Sequence, residues 1–320
     1  MNTFASSCRG AIARTQQSAS AVKRAADVTS RRVVVSAGCG LNWLMGSRAN
    51  GRIGILMYHR FANHSSGVMP PTWNVTPVAF RAQLAGLLER GFQAWPLRRL
   101  IDSHRQGTAA PLKTFAVTFD DGHESVYRYA WPILRELGVP ATLFLPTAYV
   151  DSKQALPFDD WSAAGSVEAP PESWRPMTSE QCRAIAADGL VELGAHTHTH
   201  QDFRSRLDDF DRDLSENIDV LRSRFGVVDP PFAFPFGHAT AAMMNIVRRS
   251  GLSCGLTMAA RLVHLRDEPF GWGRFHVERW DTSSSLEAKL SGWYSWLPQI
   301  RRQLAGWRRT GAGSEAGPQS

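Results

Sequence analysis

The sequence lacks several features that would assign it to a simple class of protein. Its 320 residues include only four cysteines and no C-x-x-C pair, so neither a zinc knuckle nor a disulfide framework is expected. No stretch reaches the roughly 18 apolar residues that a spanning helix needs, which argues against an integral membrane protein. The H-E-x-x-H motif of zincin proteases is also missing. What is present, 43% apolar and 20% charged residues, can form a sizeable core.

Positive charge is concentrated at the two ends of the chain. Residues 1–50 hold seven Lys or Arg against one acidic residue, and residues 291–320 hold four against one. Residues 51–290 are close to neutral, with 25 basic against 27 acidic residues, although the whole chain carries +7. A fold that grips nucleic acid has basic residues clustered within its folded part. We therefore expect no nucleic-acid partner.

This distribution predicts one folded domain, residues 51–290, between two basic segments. Residues 1–50 are rich in Ser, Ala and Arg and are expected to be disordered. They match an export signal only weakly, so a cytoplasmic or membrane-peripheral location is favoured over export. Residues 291–320 contain a short basic amphipathic stretch, which predicts either contact with anionic lipid or packing across the bottom of the fold. Nothing in the sequence indicates an oligomeric state.

Apolar runs and amphipathic stretches alternate between residues 53 and 258. Strands are predicted at 53–59, 115–119, 141–145, 191–194, 231–234 and 253–258, and helices at 76–91, 124–137, 178–189, 208–225 and 241–251. Such alternation indicates an α/β fold with parallel strands covered by helices. Residues 151–176 interrupt the pattern as a long loop. Its Trp161 and Trp174 offer aromatic faces for a sugar, and a solvated insertion without function is the alternative.

Chemistry is suggested where strands end. Asp120 and Asp121 follow one predicted strand, His196 to His200 follow another, and Phe234 to Gly237 follow a third. In a parallel βα barrel the active site forms at the carboxyl ends of the strands, so these three segments should meet at one mouth. Two imidazoles and one carboxylate supply three metal ligands and leave a second carboxylate as a base. An isolated Asp-Asp-Gly is more often a turn, and spacing alone leaves His198 open as a ligand.

The segments from Thr118 to Gly122, from His196 to His200 and from Phe234 to Gly237 resemble the signature motifs of the polysaccharide deacetylases. This is the NodB homology family, or carbohydrate esterase family 4. The resemblance covers about residues 52–285 and is strongest to the branch acting on exopolysaccharides of N-acetylglucosamine. It implies a distorted (β/α)7-8 barrel of the NodB type, with flexible basic termini, that removes N-acetyl groups from an N-acetylhexosamine-containing polysaccharide.

The resemblance also implies a role for individual residues. Asp121, His196 and His200 would bind a divalent transition metal, with zinc the expected ion, and Asp120 would be the general base that activates water. The backbone N–H of Phe236 would stabilise the oxyanion. The residues expected to line the substrate pocket are His59, Trp161, Pro235 and Phe236.

Two departures from the family pattern leave alternatives open. Many members carry an arginine near the position of Ala233 that orients the catalytic carboxylate, and Arg274 could replace it from the next strand end. The family's general acid is usually a histidine in a Leu-x-His motif, so His264 is one candidate and His276 is the other. A carbohydrate-binding member with weak or no activity is therefore an alternative function, as is hydrolysis of O-acetyl or other C–N bonds.

Overall fold

The computed structural model describes residues 36–294, and their strands form one all-parallel sheet. In chain order the strands are β1 (Gly54–Tyr58), β2 (Gln93–Ala94), β3 (Thr114–Phe119), β4 (Ala141–Leu145), β5 (Val191–Ala195), β6 (Phe232–Ala233), β7 (Gly255–Leu256) and β8 (Phe275–His276). Their spatial order is β7-β6-β5-β4-β3-β1-β8, and β2 pairs with β3 beside this path. Every pairing is parallel.

The two edges of the sheet meet through a single bridge. Leu256 in β7 pairs with Trp272, which lies three residues before β8, and Thr257 N donates to Trp272 O at 2.8 Å. Because β8 in turn pairs with β1, the strands close into an irregular ring. The expected distorted barrel is confirmed, with seven strands on the ring.

Helices cover the outside of the sheet. They are α1 (residues 36–45), α2 (Pro77–Glu89), α3 (Leu97–Gln106), α4 (Trp131–Leu137), α5 (Ser179–Ala187), α6 (Leu207–Phe225), α7 (Ala241–Arg249) and α8 (Ser283–Leu290). All residues of β1, β3 and β4 are buried, since apolar side chains fill the ring on one face and the helices pack on the other. Among residues 36–294 there is no helix with the length and apolar content to cross a membrane.

Local sequence explains where several helices begin. Thr178 accepts a hydrogen bond from Gln181 N while the Gln181 side chain accepts from Thr178 N, which is the capping box predicted for α5. Thr76 caps α2, and Pro77 occupies its first position, where no N–H is needed. Before α4 the chain forms a π-helical turn at Val126–Ala130, where one continuous helix was predicted.

Some predictions concern residues at the edge of the described region. Residues 36–45 are helical, so the disorder expected for residues 1–50 does not apply to them. Trp293 is buried and its Nε1 donates to Gly46 O at 2.9 Å, which joins the two ends of the described chain. The amphipathic stretch predicted after Pro298 lies outside the described residues, and its lipid contact stays a prediction.

Two loops at the mouth pack against each other. The first, residues 59–76, joins β1 to α2, and the second is the predicted long loop, residues 151–176. Trp161 Nε1 of the second loop donates to Met69 O of the first at 2.8 Å. Arg60 and Asp159 form a buried ion pair between the same two loops. These loops therefore make one common wall beside the carboxyl ends of the strands.

Candidate active site

The predicted chemical residues meet at the carboxyl ends of four strands. Asp120 and Asp121 directly follow β3, His196 follows β5, and His59 follows β1. The turn Pro235–Gly237 comes just after β6. They share one pocket, lined by His59, Arg60, Trp73, Asp120, Asp121, His123, Leu156, Phe158, Asp159, Asp160, His196, His200, Phe236 and Met258.

Asp121, His196 and His200 form the one group in residues 36–294 with metal-site geometry. Their ligand atoms all lie within 4.8 Å of one another, and each histidine Nε2 is 3.5 Å from Asp121 Oδ1. His196 Nδ1 is 2.8 Å from Ala233 O, an arrangement in which Nδ1–H donates and leaves Nε2 free as a ligand. Two imidazoles and a carboxylate fit a divalent transition metal with an open coordination position.

Neighbouring side chains hold the second histidine of this group. The ring of Phe158 stacks on that of His200, with centroids 3.8 Å apart, and Thr197 Oγ1 accepts from His200 N at 3.0 Å. His198 lies elsewhere: its Nδ1 contacts Thr147 Oγ1 at 2.9 Å and its Nε2 is 3.3 Å from Glu216. The structure therefore leaves His198 outside the ligand set.

Arg274 binds the carboxylate that is not part of this group. Its Nη1 and Nη2 donate to the two oxygens of Asp120 at 2.6 and 2.7 Å, and the arginine side chain is fully buried. Nη1 also contacts Thr118 Oγ1 at 3.2 Å, which fixes the guanidinium plane. A bidentate pair orients the carboxylate as well as stabilising its charge. The structure thus places Arg274 where the arginine missing at Ala233 was expected to act.

Both adjacent carboxyls have lowered pKa values, for different reasons. Burial raises the pKa of Asp120, but the charge of Arg274, then that of His196 and the hydrogen bonds from Arg274, outweigh it. Burial also raises the pKa of Asp121, and the hydrogen bond from His196 with the surrounding imidazoles lowers it well below the ordinary range. Burial lowers the pKa of His59 to about 4 and that of His200 to about 3. At neutral pH Asp120 and Asp121 are therefore carboxylates, and the imidazoles of His59 and His200 are neutral.

Strained backbone is concentrated in this site. Nine non-glycine residues in the described part of the chain have positive φ, and five of them line or support the pocket: Trp73, Asp121, Thr197, His200 and Phe236. For bulky or β-branched residues this region is unfavourable and persists only where surrounding contacts impose it. The neighbouring Gly237 has φ of 67°, and a Cβ there would lie 2.6 Å from the Met258 side chain. The surrounding fold thus holds these residues in backbone conformations that are unfavourable in isolation, and this gives the pocket its geometry.

The two histidines proposed as general acid lie at different ends of the barrel. Val263, next to His264, pairs with Ile53 at the amino end of β1, opposite the pocket. His264 is therefore excluded from direct contact with the reacting groups. His276 is at the mouth but does not line the pocket, and its Nδ1 faces Glu278 Oε1 at 3.2 Å. His59 does line the pocket, and its Nε2 is 4.0 Å from Asp120 Oδ2. The sequence predicted only substrate contact for this histidine.

The predicted lining residues divide into exposed and buried ones. Phe236 is 44% exposed at the pocket, whereas Pro235 beside it is buried and does not line the pocket. Trp161 does not line it either, which corrects that expectation. Its indole is 4% exposed and packs with Trp174 inside the 151–176 loop, because the 59–76 loop covers it.

One polar residue from each of the two loops, Arg60 and Asp159, reaches the pocket beside His123. Arg60 Nη2 lies 3.3 Å from His123 Nε2, and the same nitrogen pairs with Asp159. His123 Nε2 is in turn 3.9 Å from Asp121 Oδ2. Neither Arg60 nor Asp159 was singled out from the sequence. Their positions in the sequence could have identified them, because Arg60 lies just after β1 and Asp159 lies in the predicted long loop.

Fold and site together define a parallel barrel protein with a metal site of the type that hydrolases use. A family model described as polysaccharide deacetylase matches residues 108–255, which include the paired carboxylates and both histidine ligands. Over these residues the chain is similar to the polysaccharide deacetylases.

Two curated relatives are similar over most of the described region. Both are named poly-beta-1,6-N-acetyl-D-glucosamine N-deacetylase. The Escherichia coli (strain K12) protein is 25% identical over 222 residues, covering 60% of this chain and 32% of that protein. The Staphylococcus aureus (strain MRSA252) protein is 22% identical over 227 residues, covering 65% and 72%. The chain thus spans about a third of the length of the Escherichia coli relative.

A solved structure supports the fold assignment. It is the structure of IcaB from Ammonifex degensii, which is 25% identical, with a TM-score of 0.63, and covers 76% of this chain and 97% of that chain. The de-N-acetylase from Aggregatibacter actinomycetemcomitans matches with the same TM-score at 18% identity and bears on the fold alone.

Proposed function

We propose that the protein is a metal-dependent hydrolase that removes N-acetyl groups from a polysaccharide containing N-acetylhexosamine. The observation that carries this proposal is the division between two adjacent carboxylates. Asp121 faces His196 and His200, whereas Asp120 is held by Arg274 outside that group. A site that only bound a sugar would not need an ionised carboxylate, free of the ligand group, directly beside it. The relatives named as N-deacetylases support the substrate class.

The ligand group suits zinc, and we propose zinc as the resident ion. Two imidazoles and one carboxylate are a recurring three-residue set for catalytic zinc. When bound there, the metal lowers the pKa of a water molecule and polarises an acyl carbonyl. His196 and His200 would hold it through Nε2, since His196 Nδ1 already pairs with Ala233 O.

The role of Asp120 follows from its charge and position. Its lowered pKa keeps it ionised near neutral pH, so it can accept a proton from water in the pocket. Arg274 keeps both carboxylate oxygens in place and prevents the side chain from turning away. The left-handed turn at Phe236 brings its backbone to the pocket wall, where the N–H would stabilise the oxyanion.

Breaking an amide also requires a proton on the leaving nitrogen. We assign delivery of this proton to His59, because it lines the pocket 4.0 Å from Asp120 and can pass on the proton that Asp120 takes up. His264 lies at the opposite end of the barrel, and His276, whose ring centroid is 5.9 Å from that of His59, is not among the residues that line the pocket. The products would be acetate and a free amine on the sugar.

The proposal is tested by acetate release from β-1,6-linked N-acetylglucosamine oligomers with and without added zinc. Asp120→Asn should lower kcat by about 100-fold or more, since a general base contributes 10²–10⁴-fold, while zinc binding measured by calorimetry persists. Asp219→Asn, the same change on an exposed site of α6, is the matched control and should keep full activity.

Three outcomes would contradict the proposal. Full activity of Asp120→Asn would remove the assigned base. If the zinc-loaded protein bound the oligomer but released no acetate from any acetylated glycan, it would be a carbohydrate-binding member of the fold. Release from O-acetylated glycans alone would replace the N-deacetylase with an esterase.

A further inference from the structure

Trp73 is an exposed aromatic residue at the pocket that none of the roles above uses. It lies in the 59–76 loop, lines the pocket, and is 42% exposed. By contrast Trp161 and Trp174, the aromatic residues that the sequence suggested for sugar contact, are 4% and 7% exposed. An exposed tryptophan beside a pocket is informative, because large apolar side chains at such places mark ligand contacts more often than they do elsewhere.

The backbone of Trp73 is held in an unfavourable conformation. Its φ is 52°, in the left-handed region that bulky residues avoid. Trp73 O accepts from Arg60 N at 3.2 Å, and the next residue, Asn74, forms a parallel bridge with Arg60. The Asn74 side chain bonds both Ala62 N and Ala62 O, at 2.7 and 3.0 Å. Strain of this kind costs about 1–3 kcal/mol and is concentrated at ligand contacts and active sites.

The indole of Trp73 packs against two histidines. Its ring centroid lies 5.0 Å from that of His59 and 4.7 Å from that of His276. His276 is fixed in turn, since Lys289 Nζ donates to His276 O at 3.0 Å and Glu278 faces its Nδ1. The indole thus rests on rigid neighbours while much of its surface faces solvent next to the proposed proton donor.

Polar groups flank this surface on the same wall. Thr72, next to Trp73, donates its hydroxyl to Asp160 of the 151–176 loop, and Asp160 is exposed and lines the pocket. Across the pocket, Phe236 is 44% exposed and its ring lies 4.7 Å from that of His200. An aromatic face with a carboxylate beside it suits a pyranose ring, which has an apolar C–H face and hydroxyls at its rim.

We propose that Trp73 is the stacking platform of a sugar subsite beside the reacting residue. The ligand is a pyranose ring of an N-acetylhexosamine chain, adjacent to the sugar whose acetyl group faces Asp120 and His59. This assignment rests on the proposed function and deepens it, because it makes the site selective for a chain over a single sugar. Asp160 contributes hydrogen bonds to the hydroxyls of the same ring.

The test measures binding without turnover. In zinc-loaded Asp120→Asn protein, calorimetry with a β-1,6-linked N-acetylglucosamine pentamer gives the parent Kd. Adding Trp73→Ala should raise Kd about tenfold, within the range that a buried aromatic contact contributes, whereas Trp73→Phe should stay within about threefold. Trp43→Ala, which removes an 83% exposed tryptophan of α1, is the matched control and should leave Kd unchanged.

Kinetics on the protein with Asp120 intact separates stacking from support of His59. Loss of stacking raises KM for the pentamer more than it lowers kcat. If kcat falls while KM holds, Trp73 acts through His59 and the subsite proposal is wrong. An unchanged Kd in Trp73→Ala overturns it as well, with the proposed function intact. If the parent fails to bind the pentamer and the intact protein releases no acetate, both proposals fail together.

Discussion

Asp120 and Asp121 are neighbours in the chain whose partners give them different chemistry. Both are charged at neutral pH, but Asp121 is surrounded by imidazoles and Asp120 by a guanidinium. A guanidinium cannot ligate a metal and cannot lose its proton in proteins. Arg274 therefore keeps Asp120 ionised and oriented without competing for the metal position.

Replacing Arg274 should change the pH dependence of activity in a defined direction. Arg274→Met removes the positive charge that, against the effect of burial, lowers the pKa of Asp120. The pKa of Asp120 should rise, so protonation would inactivate the base at a higher pH, and the acid limb of kcat/KM should move upward. Profiles of acetate release between pH 4 and 9, roughly, would show the shift.

A conservative variant serves as the control for this prediction. Arg274→Lys keeps a positive charge but loses the planar fork, so it should move the acid limb less than Arg274→Met and still reduce kcat. If both variants keep the acid limb of the unmodified protein, Arg274 does not set the pKa of Asp120.

The structure brings together the predicted residues that directly follow strands, whereas it places the residue predicted from a short motif elsewhere. The metal group and Asp120 were placed by the strand-end rule, and the structure brings them together. His264 was a candidate because of its Leu-x-His motif, but its neighbour Val263 pairs with Ile53 at the amino end of β1, away from the pocket. His59 directly follows β1, just as Asp120 directly follows β3, so the position of His59 at a strand end could have identified it as a candidate.

At the scale of elements, the long strands and five of the helices were predicted, whereas two of the short strands, β2 and β8, were not. The strands β1, β3, β4 and β5 have five or six residues and clear apolar runs. In contrast β2 and β8 have two residues each, too few to carry a periodic pattern, and their pairing depends on neighbours distant in the chain. The strands β6 and β7 were predicted, but they are shorter than the predicted ranges 231–234 and 253–258. The helices α3 and α8 were not predicted for the same reason, since their formation also depends on packing against distant parts of the chain.

The two loops at the mouth form another feature that required three-dimensional contacts. The 151–176 loop was predicted, but the burial of Trp161 was not, because it depends on Met69 and Arg60 in the other loop. Side-chain exposures of 2% and 3% for Arg60 and Asp159 show that their ion pair is buried. The pair therefore fastens the long loop to the barrel.

Breaking this buried pair should loosen the 151–176 loop. Arg60→Met leaves the Asp159 carboxylate buried without its partner, which costs about 3–5 kcal/mol when a buried pair is broken from one side. We expect faster proteolytic cleavage within residues 151–176 and a lower midpoint of urea unfolding. Arg81→Met is the matched control, because the Arg81–Glu136 pair is about half exposed and solvent screening leaves it a small contribution to stability. Equal cleavage rates in the two variants would show that the buried pair does not fasten the loop.

At the scale of the whole molecule, the site depends on closure of the barrel. Asp120 follows β3 while its partner Arg274 directly precedes β8, so the ion pair spans β1, which lies between these two strands. Arg274 Nε also contacts Thr257 O at 3.3 Å, just after β7. One buried side chain thus connects both edges of the sheet with the Asp120 carboxylate. Sequence spacing could suggest Arg274 but could not show these contacts.

Metal binding should stabilise the whole fold, because the ligands come from two separate strand ends. A ligand that binds only the folded state at 100 times its Kd stabilises it by about 2.7 kcal/mol. For a protein of this size, with an unfolding entropy of about 2.1 cal/mol/K per residue, that corresponds to a rise in Tm of roughly 4 °C. We expect this rise when zinc is added to chelator-treated protein, as measured by scanning calorimetry, and its reversal by EDTA.

His200→Ala should abolish the rise, whereas His198→Ala should keep it, since His198 faces Thr147 and Glu216 instead. An equal rise in the two variants would mean that zinc binds elsewhere, and Asp121, His196 and His200 would lose their assignment.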